Sequence, residues 1–448
     1  MIAVDANILV YAHREDSPGH EKALARVPRH PIRHRPLAMT LLQTGGYQTW
    51  PNFLAVLGCK PGHVVYFTSA DPDGRFSAAI RSLMDAAGLA GHRGSWEMVS
   101  TNSPEPTLED CLSVLTRLAP ESIHLVNLTG GTKMMSLAAF EFARANRIPA
   151  FYLDTRRAAQ AFEDLKTGPL PCPFPELSAL SRQITVRTAL AAQGFHVPTS
   201  FKSPPDSHRA FSAAAVAIRR DEAADLEISH FLAGLRGHLM GPNDCLLKKG
   251  KLRAALQRPV EAPPGSHWQR YLQTAADLGI IRQLDPGQFR LVTLDPKSTD
   301  AGSLHSEANT NFKLLDGIWF ELAVLERLRA NPSFSDICWS VESDKATDPT
   351  ASSKGETDLV AFNHETFNLH FISCKTTGPH TGALDHIQGL RRRASKEGGN
   401  YSEAELWIFR PKSSDHRREL ENHCKEQNVR LRVFTDCPAF AQSPGAAP

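Results

Sequence analysis

Short apolar runs alternate with amphipathic segments along the first third of the chain. The strand-like runs lie at 37–45, 63–69, 122–128 and 149–154. The helical patterns between them lie at 75–88, 107–118 and 132–146. Strands that alternate with helices indicate a parallel sheet covered by helices on both faces. The pattern therefore predicts an α/β, Rossmann-like domain over 37–170, which the Pro-rich stretch at 168–177 ends.

The pattern over 171–300, in the middle of the chain, predicts a connecting helical region. Amphipathic helical segments cover 178–245. From 245 to 295 the order is helix, Pro-rich turn, helix and a hairpin with its turn at Asp285-Pro286-Gly287. That order is typical of a winged helix, and a plain linker subdomain that only spaces its neighbours fits the pattern equally well.

A second α/β domain is predicted over 301–438. It opens with a helix, NFKLLDGIWFELAVLERLRA, whose apolar positions follow the 3.6-residue period. The strand-like segments ETDLVAF (356–362) and FNLHFISCK (367–375) follow, and then come a further strand, a helix and a last strand. Residues 439–448 are expected to form a flexible tail.

Composition restricts the class of protein more than its chemistry. The 448 residues are 41% hydrophobic and 22% charged, and no uncharged apolar run approaches the ~18 residues that a membrane helix needs. We expect a soluble, cytoplasmic protein without a membrane partner. The eight cysteines show no CxxC pair, so reduced thiols are expected. Because the net charge is only +2, a nucleic acid would have to be bound by local basic patches.

Two glycine turns carry the first candidate site. The strand at 122–128 runs into Thr129-Gly130-Gly131-Thr132-Lys133, and a helix follows at once. Thr44-Gly45-Gly46 follows the first strand in the same way. Such turns free backbone amides at a positive helix end, which is the chemistry of a phosphate cradle. The simpler alternative is that the glycines only permit tight strand-to-helix turns.

The segment NLTGGTKMMSLAAF and the early QTGG turn resemble the CARF domain, the cyclic-oligoadenylate sensor of type III CRISPR ancillary effectors. The resemblance implies a homodimer that binds a cyclic oligoadenylate across its two-fold axis, with cyclic tetra-adenylate as the expected activator. It implies phosphate contacts from Thr129, Gly130, Gly131, Thr132 and Lys133. It also implies ribose-phosphate contacts from Thr44, Gly45 and Gly46, and hydroxyl contacts from Thr68 and Ser69.

Carboxylates and a lysine on two predicted strands carry the second candidate site. Glu356 and Asp358 are two residues apart and share one strand face, as do Ser373 and Lys375 on the next strand. Glu321, in the preceding helix, falls in register with its buried stripe. Carboxylates that hold a divalent cation beside a lysine suit phosphodiester hydrolysis. An ordinary cross-strand ion pair between Asp358 and Lys375 is the alternative.

The order GIWFE, ETD and ISCKT resembles the PD-(D/E)xK nuclease domain of CARF-linked CRISPR effectors, over about 305–435. The resemblance implies a metal-dependent endonuclease that uses Mn²⁺ or Mg²⁺ on DNA and/or RNA. This chain has Ser373 where the family pattern has Glu. Asp358 and Glu321, with Glu356 in reserve, are therefore expected to hold the metal, together with a backbone carbonyl oxygen near Cys374.

Three further motifs leave alternatives open. RRRASK at 391–396 is either a phosphate-binding patch or a solvated basic face. Arg418 and His423 match the R-x4-H spacing of HEPN ribonucleases, which would make a rival, metal-independent centre. Residues 1–36 open like a PIN ribonuclease, with Asp5 at its first carboxylate position, but the resemblance stops there and we assign Asp5 no catalysis.

The leading hypothesis is a ligand-activated endonuclease. Its rival is non-enzymatic: a CARF-type transcription regulator whose segment at 245–295 reads DNA and whose nuclease fold is inactive. Ser373 favours the regulator, whereas Glu321, Asp358 and Lys375 together favour the enzyme.

Overall fold

A computed structural model describes most of the chain between residues 39 and 436. The described ranges are 39–46, 49–154, 162–171, 173–176, 179–180, 183–196, 201–239, 249–297, 299–345, 355–377, 382–399 and 402–436. The PIN-like segment at 1–36 with Asp5, and the tail at 439–448, lie outside the described residues.

A six-stranded sheet forms the first domain. Its strands are β1 (Thr40–Thr44), β2 (His63–Thr68), β3 (Ser95–Ser100), β4 (Leu125–Asn127), β5 (Ala150–Leu153) and β6 (Phe162–Asp164). They lie in the order β3-β2-β1-β4-β5-β6, and all but β6 run parallel. The order reverses between β1 and β4, so the connections leave to opposite sides and a crevice opens at the carboxyl ends of these two strands.

Helices cover both faces of this sheet, as expected for a parallel sheet. They are α1 (Trp50–Cys59), α2 (Arg75–Leu89), α3 (Leu108–Leu115) and α4 (Lys133–Ala145). One apolar cluster joins α1 and α2 to the sheet, and another joins α3 and α4 to its other face. The predicted Rossmann-like α/β arrangement is confirmed. Helix α1 and strand β3 lie between the predicted elements and were not predicted.

The middle of the chain is mainly helical. Its elements are α5 (Val186–Ala192), β7 (Phe195–His196), α6 (Asp206–Arg219), α7 (Glu222–Leu239), α8 (Lys249–Gln257), β8 (Val260–Glu261), α9 (His267–Asp277), β9 (Arg282–Asp285) and β10 (Gln288–Arg290). Strands β8, β10 and β9 form a small antiparallel sheet. The hairpin turns at Gly287, which takes a positive φ of 77° that favours glycine. A single described helix, α9, separates β8 from β9.

The C-terminal domain is a second α/β unit. Its helices are α10 (Ala301–Lys313), α11 (Trp319–Arg329), α12 (Ala383–Gly398) and α13 (Ser414–Glu426). Its strands are β11 (Phe334–Lys345), β12 (Gly355–Asn363), β13 (Asn368–Lys375), β14 (Ser402–Ile408) and β15 (Arg430–Val433). They form a mixed sheet in the order β15-β14-β13-β12-β11-β7, in which β11, β12 and β13 are antiparallel and β13, β14 and β15 are parallel.

One predicted helix of this domain is interrupted. A π-helical turn, Leu314–Ile318, separates α10 from α11 just before Glu321. Its carbonyl groups find tertiary partners, since the Tyr271 hydroxyl donates a 2.7 Å hydrogen bond to the Leu315 carbonyl oxygen. Such turns insert an extra residue into the helical ladder and are frequent at functional sites. The turn therefore resets the direction in which the first residues of α11 point.

The first and last domains share one apolar core. The buried cluster that contains Trp50 continues into Val360 and Phe362 of β12, and the Trp50 and Phe362 rings meet edge to face at 6.1 Å. Helix α5 lies in this interface. Its Val186 amide donates to Asp336 of β11, while its Ala192 carbonyl accepts from the Thr49 hydroxyl of the first domain. The two sheets are thus coupled mechanically through α5.

Cysteines and membrane segments add little to this picture. Cys59, Cys111, Cys338, Cys374 and Cys424 are free and buried. Among the described helices, none has the length and apolar character needed to cross a bilayer.

The shared core predicts a large cost for truncating Phe362. Phe362→Ala should lower the free energy of unfolding by about 3–5 kcal/mol, because it removes a fully buried ring and leaves a cavity between the domains. Leu89→Ala, at a site that is 54% exposed, is the matched control and should change the free energy by under about 0.5 kcal/mol. Urea unfolding followed by tryptophan fluorescence measures both, and equal midpoints for the two variants would contradict the shared core.

Candidate ligand crevice and candidate active site

Two glycine turns meet backbone to backbone at the crevice between β1 and β4. A Cβ on Gly130 would clash with the Thr44 carbonyl oxygen, and one on Gly46 would lie 3.3 Å from the Gly131 amide nitrogen. Gly131 also takes a positive φ of 72°. The close approach explains why both turns carry glycine, and it places both predicted ligand turns on one edge of the sheet.

Several predicted ligand hydroxyls hold the turns together instead of facing the crevice. The Thr44 hydroxyl donates to the Gly130 carbonyl oxygen at 2.6 Å. The Thr129 hydroxyl donates to Asn127 Oδ1 at 2.7 Å and accepts from the Leu153 amide at 2.8 Å. Thr68 pairs with the Ser100 hydroxyl at 2.9 Å, and Thr44 and Thr68 are fully buried. Their direct contact with a ligand stays a prediction, and their observed role is to shape the turns.

A cavity of about 340 Å³ lies on the crevice. Its lining includes five predicted ligand residues: Gly45, Gly46, Ser69, Gly131 and Thr132. Sequence reasoning missed the rest of the lining, which is formed by Ala70, Asp71, Pro72, Asp73, Phe76, Pro104 and Met135. Asp71 is the N-terminal partner of α2, since its carboxylate accepts from the Ser77 amide at 2.9 Å. The cavity thus lies over both glycine turns.

The first turn of α4 faces this crevice. Thr132 caps the helix by accepting from the Met135 amide at 3.3 Å. Lys133, the first residue of the helix, is exposed and makes no ion pair with any residue that the structure describes. A helix N-terminus with its partial positive charge and a free ammonium group together suit an anionic ligand.

The C-terminal candidate site opens where β12 and β13 separate. Their ladder ends at the Leu359–Ile372 pair. Just beyond it, Asp358 Oδ2 accepts from the Cys374 amide at 2.7 Å and from the Ser373 hydroxyl at 3.0 Å. Lys375 Nζ lies 3.7 Å from the same oxygen. Beyond the end of the ladder, the Cys374 amide therefore donates to the Asp358 side chain. This hydrogen bond holds the neighbouring Lys375 beside Asp358.

Glu321 enters this cluster from α11. Its Oε2 accepts a 2.8 Å hydrogen bond from the Trp339 indole of β11. Burial, followed by the nearby Asp358 carboxylate, raises the pKa of Glu321 to about 7. The structure thus brings Glu321, Asp358 and Lys375 into one electrostatic unit, called here the carboxylate cluster. Trp339 was not predicted, because β11 itself was not recognised.

Glu356 lies at the edge of the cluster. It is exposed, and its Oε1 accepts from the Ser340 hydroxyl at 2.6 Å. Ser340 has a φ of +53° in the middle of β11, a left-handed conformation that a non-glycine residue rarely adopts. Such strain persists where surrounding structure enforces it, and it is concentrated at functional sites.

His386 of α12 is a site residue that sequence reasoning missed. Its Nε2 lies 3.2 Å from the Ser373 hydroxyl oxygen. Burial, assisted by the positive charges of Lys375 and Arg393, lowers the pKa of His386, so the imidazole is neutral near pH 7. Its position along the helix could have indicated that His386 faces the sheet. It lies three residues after Ala383 and four before Leu390, and both of these residues are buried.

The donor set fits a hard divalent cation held by few protein ligands. Two carboxylates lie close enough to repel each other, and Lys375 is the cation that partly offsets them. Magnesium-type ions often take one or two carboxylates and keep several waters. The Cys374 thiol is buried with its pKa raised well above the usual range, so only its backbone can contribute.

A tighter carboxylate group lies elsewhere in the sheet. Of the residues described, only His370, Glu403 and Glu405 bring three ligand atoms within 4.8 Å of one another. Arg430 pairs with Glu403 at 2.8 Å and with Glu405 at 3.3 Å, and Arg432 also faces Glu405. The arginines already neutralise these carboxylates, so this group reads as a structural ion-pair network.

A cleft lined by both basic and acidic side chains adjoins the carboxyl ends of β13 and β14. It has a volume of about 700 Å³ and lies between these strand ends and α7. Thr376 and Thr377, which follow Lys375, line it together with Arg410 and Lys412. Arg236 and Asp316 form an ion pair across it. Glu222 and Asp225 also line it, and the Arg410 guanidinium donates to the Arg220 carbonyl oxygen at 2.7 Å.

Several charged side chains of the two remaining basic motifs have partners within the chain. In RRRASK, Arg391 donates to the Ser402 carbonyl oxygen and Arg393 to that of Glu356, so these side chains fasten α12 to the sheet. Arg418 and His423 lie on α13, five residues apart and thus about 140° around the helix. Arg418 is paired with Asp415, and His423 lies beside Glu419 and Glu426.

Comparison of the whole fold with solved structures finds similar architectures. Protein VC1899 from Vibrio cholerae aligns with a TM-score of 0.64 and 16% identity, covering 89% of this chain and 94% of its own. Can2 from Sulfobacillus thermosulfidooxidans, in complex with cyclic tetra-adenylate, aligns with a TM-score of 0.61 and the same identity and coverage. A type III CRISPR defence DNA nuclease activated by cyclic oligoadenylate aligns at 0.47, with 16% identity over 88% of this chain and 50% of its own.

Sequence comparison adds a match at the level of the domain. A search of curated proteins found no match. Residues 48–167 match the family model of the Card1 CARF domain, and they cover α1 to β6 together with the NLTGGTK turn. The N-terminal domain of this chain is therefore similar to a CARF domain, the family that its glycine turns predicted.

Proposed function

We propose that the protein is a homodimeric endonuclease of type III CRISPR defence that a cyclic oligoadenylate activates and that a divalent metal ion assists. The observation that carries the proposal is the carboxylate cluster, in which Glu321, Asp358 and Lys375 converge at the separated ends of β12 and β13. It lies on the same chain as the CARF-like domain. DNA, RNA or both are the proposed substrates.

Cyclic tetra-adenylate is the proposed activator. Can2, which has the same overall fold, is described in complex with that ligand. In this chain the crevice offers the N-terminus of α4 and the Lys133 ammonium beside the two glycine turns, and both groups suit phosphate. Asp71, which also lines the cavity, offers a carboxylate for ribose hydroxyls.

Two copies of the chain would share one ring. The crevice of about 340 Å³ is near the lower limit for a single drug-sized ligand, and a ring of four nucleotides is larger than that. Met134 and Leu137 on α4, beside the crevice, are 44% and 52% exposed. A two-fold dimer that buries this helix would place two crevices against one symmetric ring.

Asp358 and Glu321 would hold a Mn²⁺ or Mg²⁺ ion. When bound, such an ion polarises the phosphate and lowers the pKa of a water. Lys375 places an ammonium beside the reacting phosphate and offsets the negative charge that builds on it. The Cys374 amide fixes the Asp358 carboxylate. Arg410 and Lys412 would contact the sugar-phosphate backbone that leads into the cluster.

Activation would travel through contacts at both ends of α5. The crevice turn at Gly46 is followed by Thr49, which binds the end of α5, and the start of α5 is bound by Asp336. Asp336 and Trp339 lie on β11, and Trp339 holds Glu321. A shift of the crevice turn would thus reach the carboxylate cluster through packed elements.

A ligand-responsive transcription regulator is the second candidate. Ser373 favours it, because a neutral hydroxyl stands where the nuclease pattern has a carboxylate. Under this alternative α9 and the β9–β10 hairpin would read DNA. The two candidates differ in one outcome, since only the nuclease cuts nucleic acid in the presence of Mn²⁺ and cyclic tetra-adenylate.

Removing the central carboxylate should abolish cleavage. Asp358→Ala removes the proposed metal ligand and the partner of Lys375, so plasmid nicking should fall by at least about a hundredfold, as for other essential electrostatic groups. Binding of cyclic tetra-adenylate should be unchanged, because that site is on another domain. Glu365→Ala, an exposed acid in the β12–β13 turn, is the matched control. Cleavage by Asp358→Ala at the control's rate would refute the nuclease.

The raised pKa of Glu321 predicts the pH dependence of cleavage. Below pH 7 the Glu321 carboxyl is protonated and neutral, so it cannot help to hold a cation; above pH 7 it is ionised. At a subsaturating Mn²⁺ concentration, where the proton and the cation compete for Glu321, the rate should therefore rise with pH up to about 7 and then level off. Glu321→Gln should be slow and lack this rise. A rate that is constant from pH 6 to 8 in the wild type would contradict the role of Glu321.

The Lys133 ammonium is expected to lower the concentration of cyclic tetra-adenylate that half-maximal activation needs. Lys133→Ala removes a charge-assisted phosphate contact of roughly 1.5–3 kcal/mol per copy, so half-maximal activation should need at least about tenfold more cyclic tetra-adenylate. The maximal rate should recover at saturation. Arg93→Ala, an exposed cation at the amino-terminal edge of the same sheet, is the control. An unchanged midpoint in Lys133→Ala would mean that the ligand binds elsewhere.

A further inference from the structure

Two side-chain groups lie within hydrogen-bond distance of the Ser373 hydroxyl, which has one hydrogen to donate. Its oxygen lies 3.0 Å from Asp358 Oδ2 and 3.2 Å from His386 Nε2. Asp358 Oδ2 already accepts from the Cys374 amide at 2.7 Å. A hydroxyl carries one donor hydrogen and two acceptor lone pairs. In the His386 tautomer with its proton on Nδ1, Nε2 is an acceptor. Ser373 then donates either to Asp358 or to His386, and the choice decides which way its lone pairs point.

The two arrangements differ in what they offer a cation. When Ser373 donates to Asp358, its hydrogen occupies the space between the two oxygens and weakens the carboxylate as a ligand. When Ser373 donates to His386, its lone pairs turn towards the Asp358 side. Two acceptor oxygens 3.0 Å apart then face each other, an arrangement that a hard cation stabilises because it prefers oxygen ligands.

We propose that His386 is a positioning residue that converts Ser373 into a neutral oxygen ligand beside Asp358. This inference rests on the proposed function. On metal binding, the Ser373 hydrogen bond moves from Asp358 Oδ2 to His386 Nε2. No proton is lost and nothing is oxidised. The pair Ser373 and His386 thereby supplies part of what a carboxylate at position 373 would supply.

The helix that carries His386 is fixed against the sheet. Ala383, Ile387 and Leu390 of α12 are buried in the core that includes β13. Arg393, about two helical turns after His386, donates to the Thr357 hydroxyl at 3.3 Å and to the Glu356 carbonyl oxygen. His386 is thus held in place from both sides along its helix, as a group that orients a hydroxyl must be.

A double-mutant cycle on metal affinity tests the proposal. Mn²⁺ binding is measured by electron paramagnetic resonance on the full chain, without nucleic acid or cyclic nucleotide, for the wild type, Ser373→Ala, His386→Ala and the double variant. Each single change should weaken binding about fivefold, the value of one ordinary hydrogen bond or neutral ligand. The double variant should also lose about fivefold, because His386 acts through Ser373.

Additivity would overturn the inference. A loss of about 25-fold in the double variant, or wild-type affinity in His386→Ala, means that His386 does not act through Ser373. His386→Gln keeps an acceptor and should stay within about twofold of the wild type, whereas His386→Phe should lose about fivefold. These two variants also decide the matter if His386→Ala does not fold.

A second arm separates this inference from the proposed function. Ser373→Glu combined with His386→Ala should recover wild-type Mn²⁺ affinity, because the carboxylate makes His386 dispensable, and failure to recover counts against the proposal. Arg392→Ala, on the exposed side of α12, should bind Mn²⁺ normally. If the wild type neither binds Mn²⁺ nor cleaves, the proposed function fails together with this inference. If it does both and the cycle is additive, only the role of His386 fails.

Discussion

Repulsion between two carboxylates is the constraint around which the C-terminal domain is built. Glu321 and Asp358 come close enough that Asp358 helps to raise the pKa of Glu321 to about 7. The Cys374 amide, the Ser373 hydroxyl, the Trp339 indole and Lys375 each oppose that repulsion. Folded chains rarely retain such an arrangement for stability alone, because burying like charges is costly.

The sensor domain and the carboxylate cluster are joined by packing rather than by a flexible linker. Trp50 and Phe362 belong to one core, and α5 is bound at one end by Thr49 and at the other by Asp336. Packed cores of this kind change between discrete arrangements instead of deforming continuously. A ligand at the crevice would therefore be able to influence the cluster only if it binds one arrangement more tightly than another.

The sequence carried the alternating elements of both sheets and the order of the site residues. Strands β1, β2, β4 and β5 were predicted from their apolar runs, and Glu321 from its helical register. Helix α1 was missed because nearly all its residues are buried, so it lacks a polar face to mark its period. The π turn before Glu321 has no marker in the sequence. Trp339 and His386 belong to the site only through tertiary contacts.

The predicted ligand turns show the same division between local and tertiary information. Gly130 and Gly131 were predicted from the turn itself, and they lie at the crevice as expected. The hydroxyls of Thr44 and Thr68, whose contact with a ligand stays a prediction, bind neighbouring backbone and side-chain groups in the structure. These hydrogen bonds depend on the pairing of β1 with β4 and of β2 with β3, which the local sequence does not show.

Cleavage by the purified wild-type protein distinguishes a ligand-activated nuclease from a protein that only binds the cyclic nucleotide. Labelled DNA and RNA are each incubated with and without cyclic tetra-adenylate and with Mn²⁺ or EDTA. Strand cleavage should occur only when the cyclic nucleotide and Mn²⁺ are both present. Cleavage that needs neither, or no cleavage of either nucleic acid while cyclic tetra-adenylate binds, would contradict this expectation.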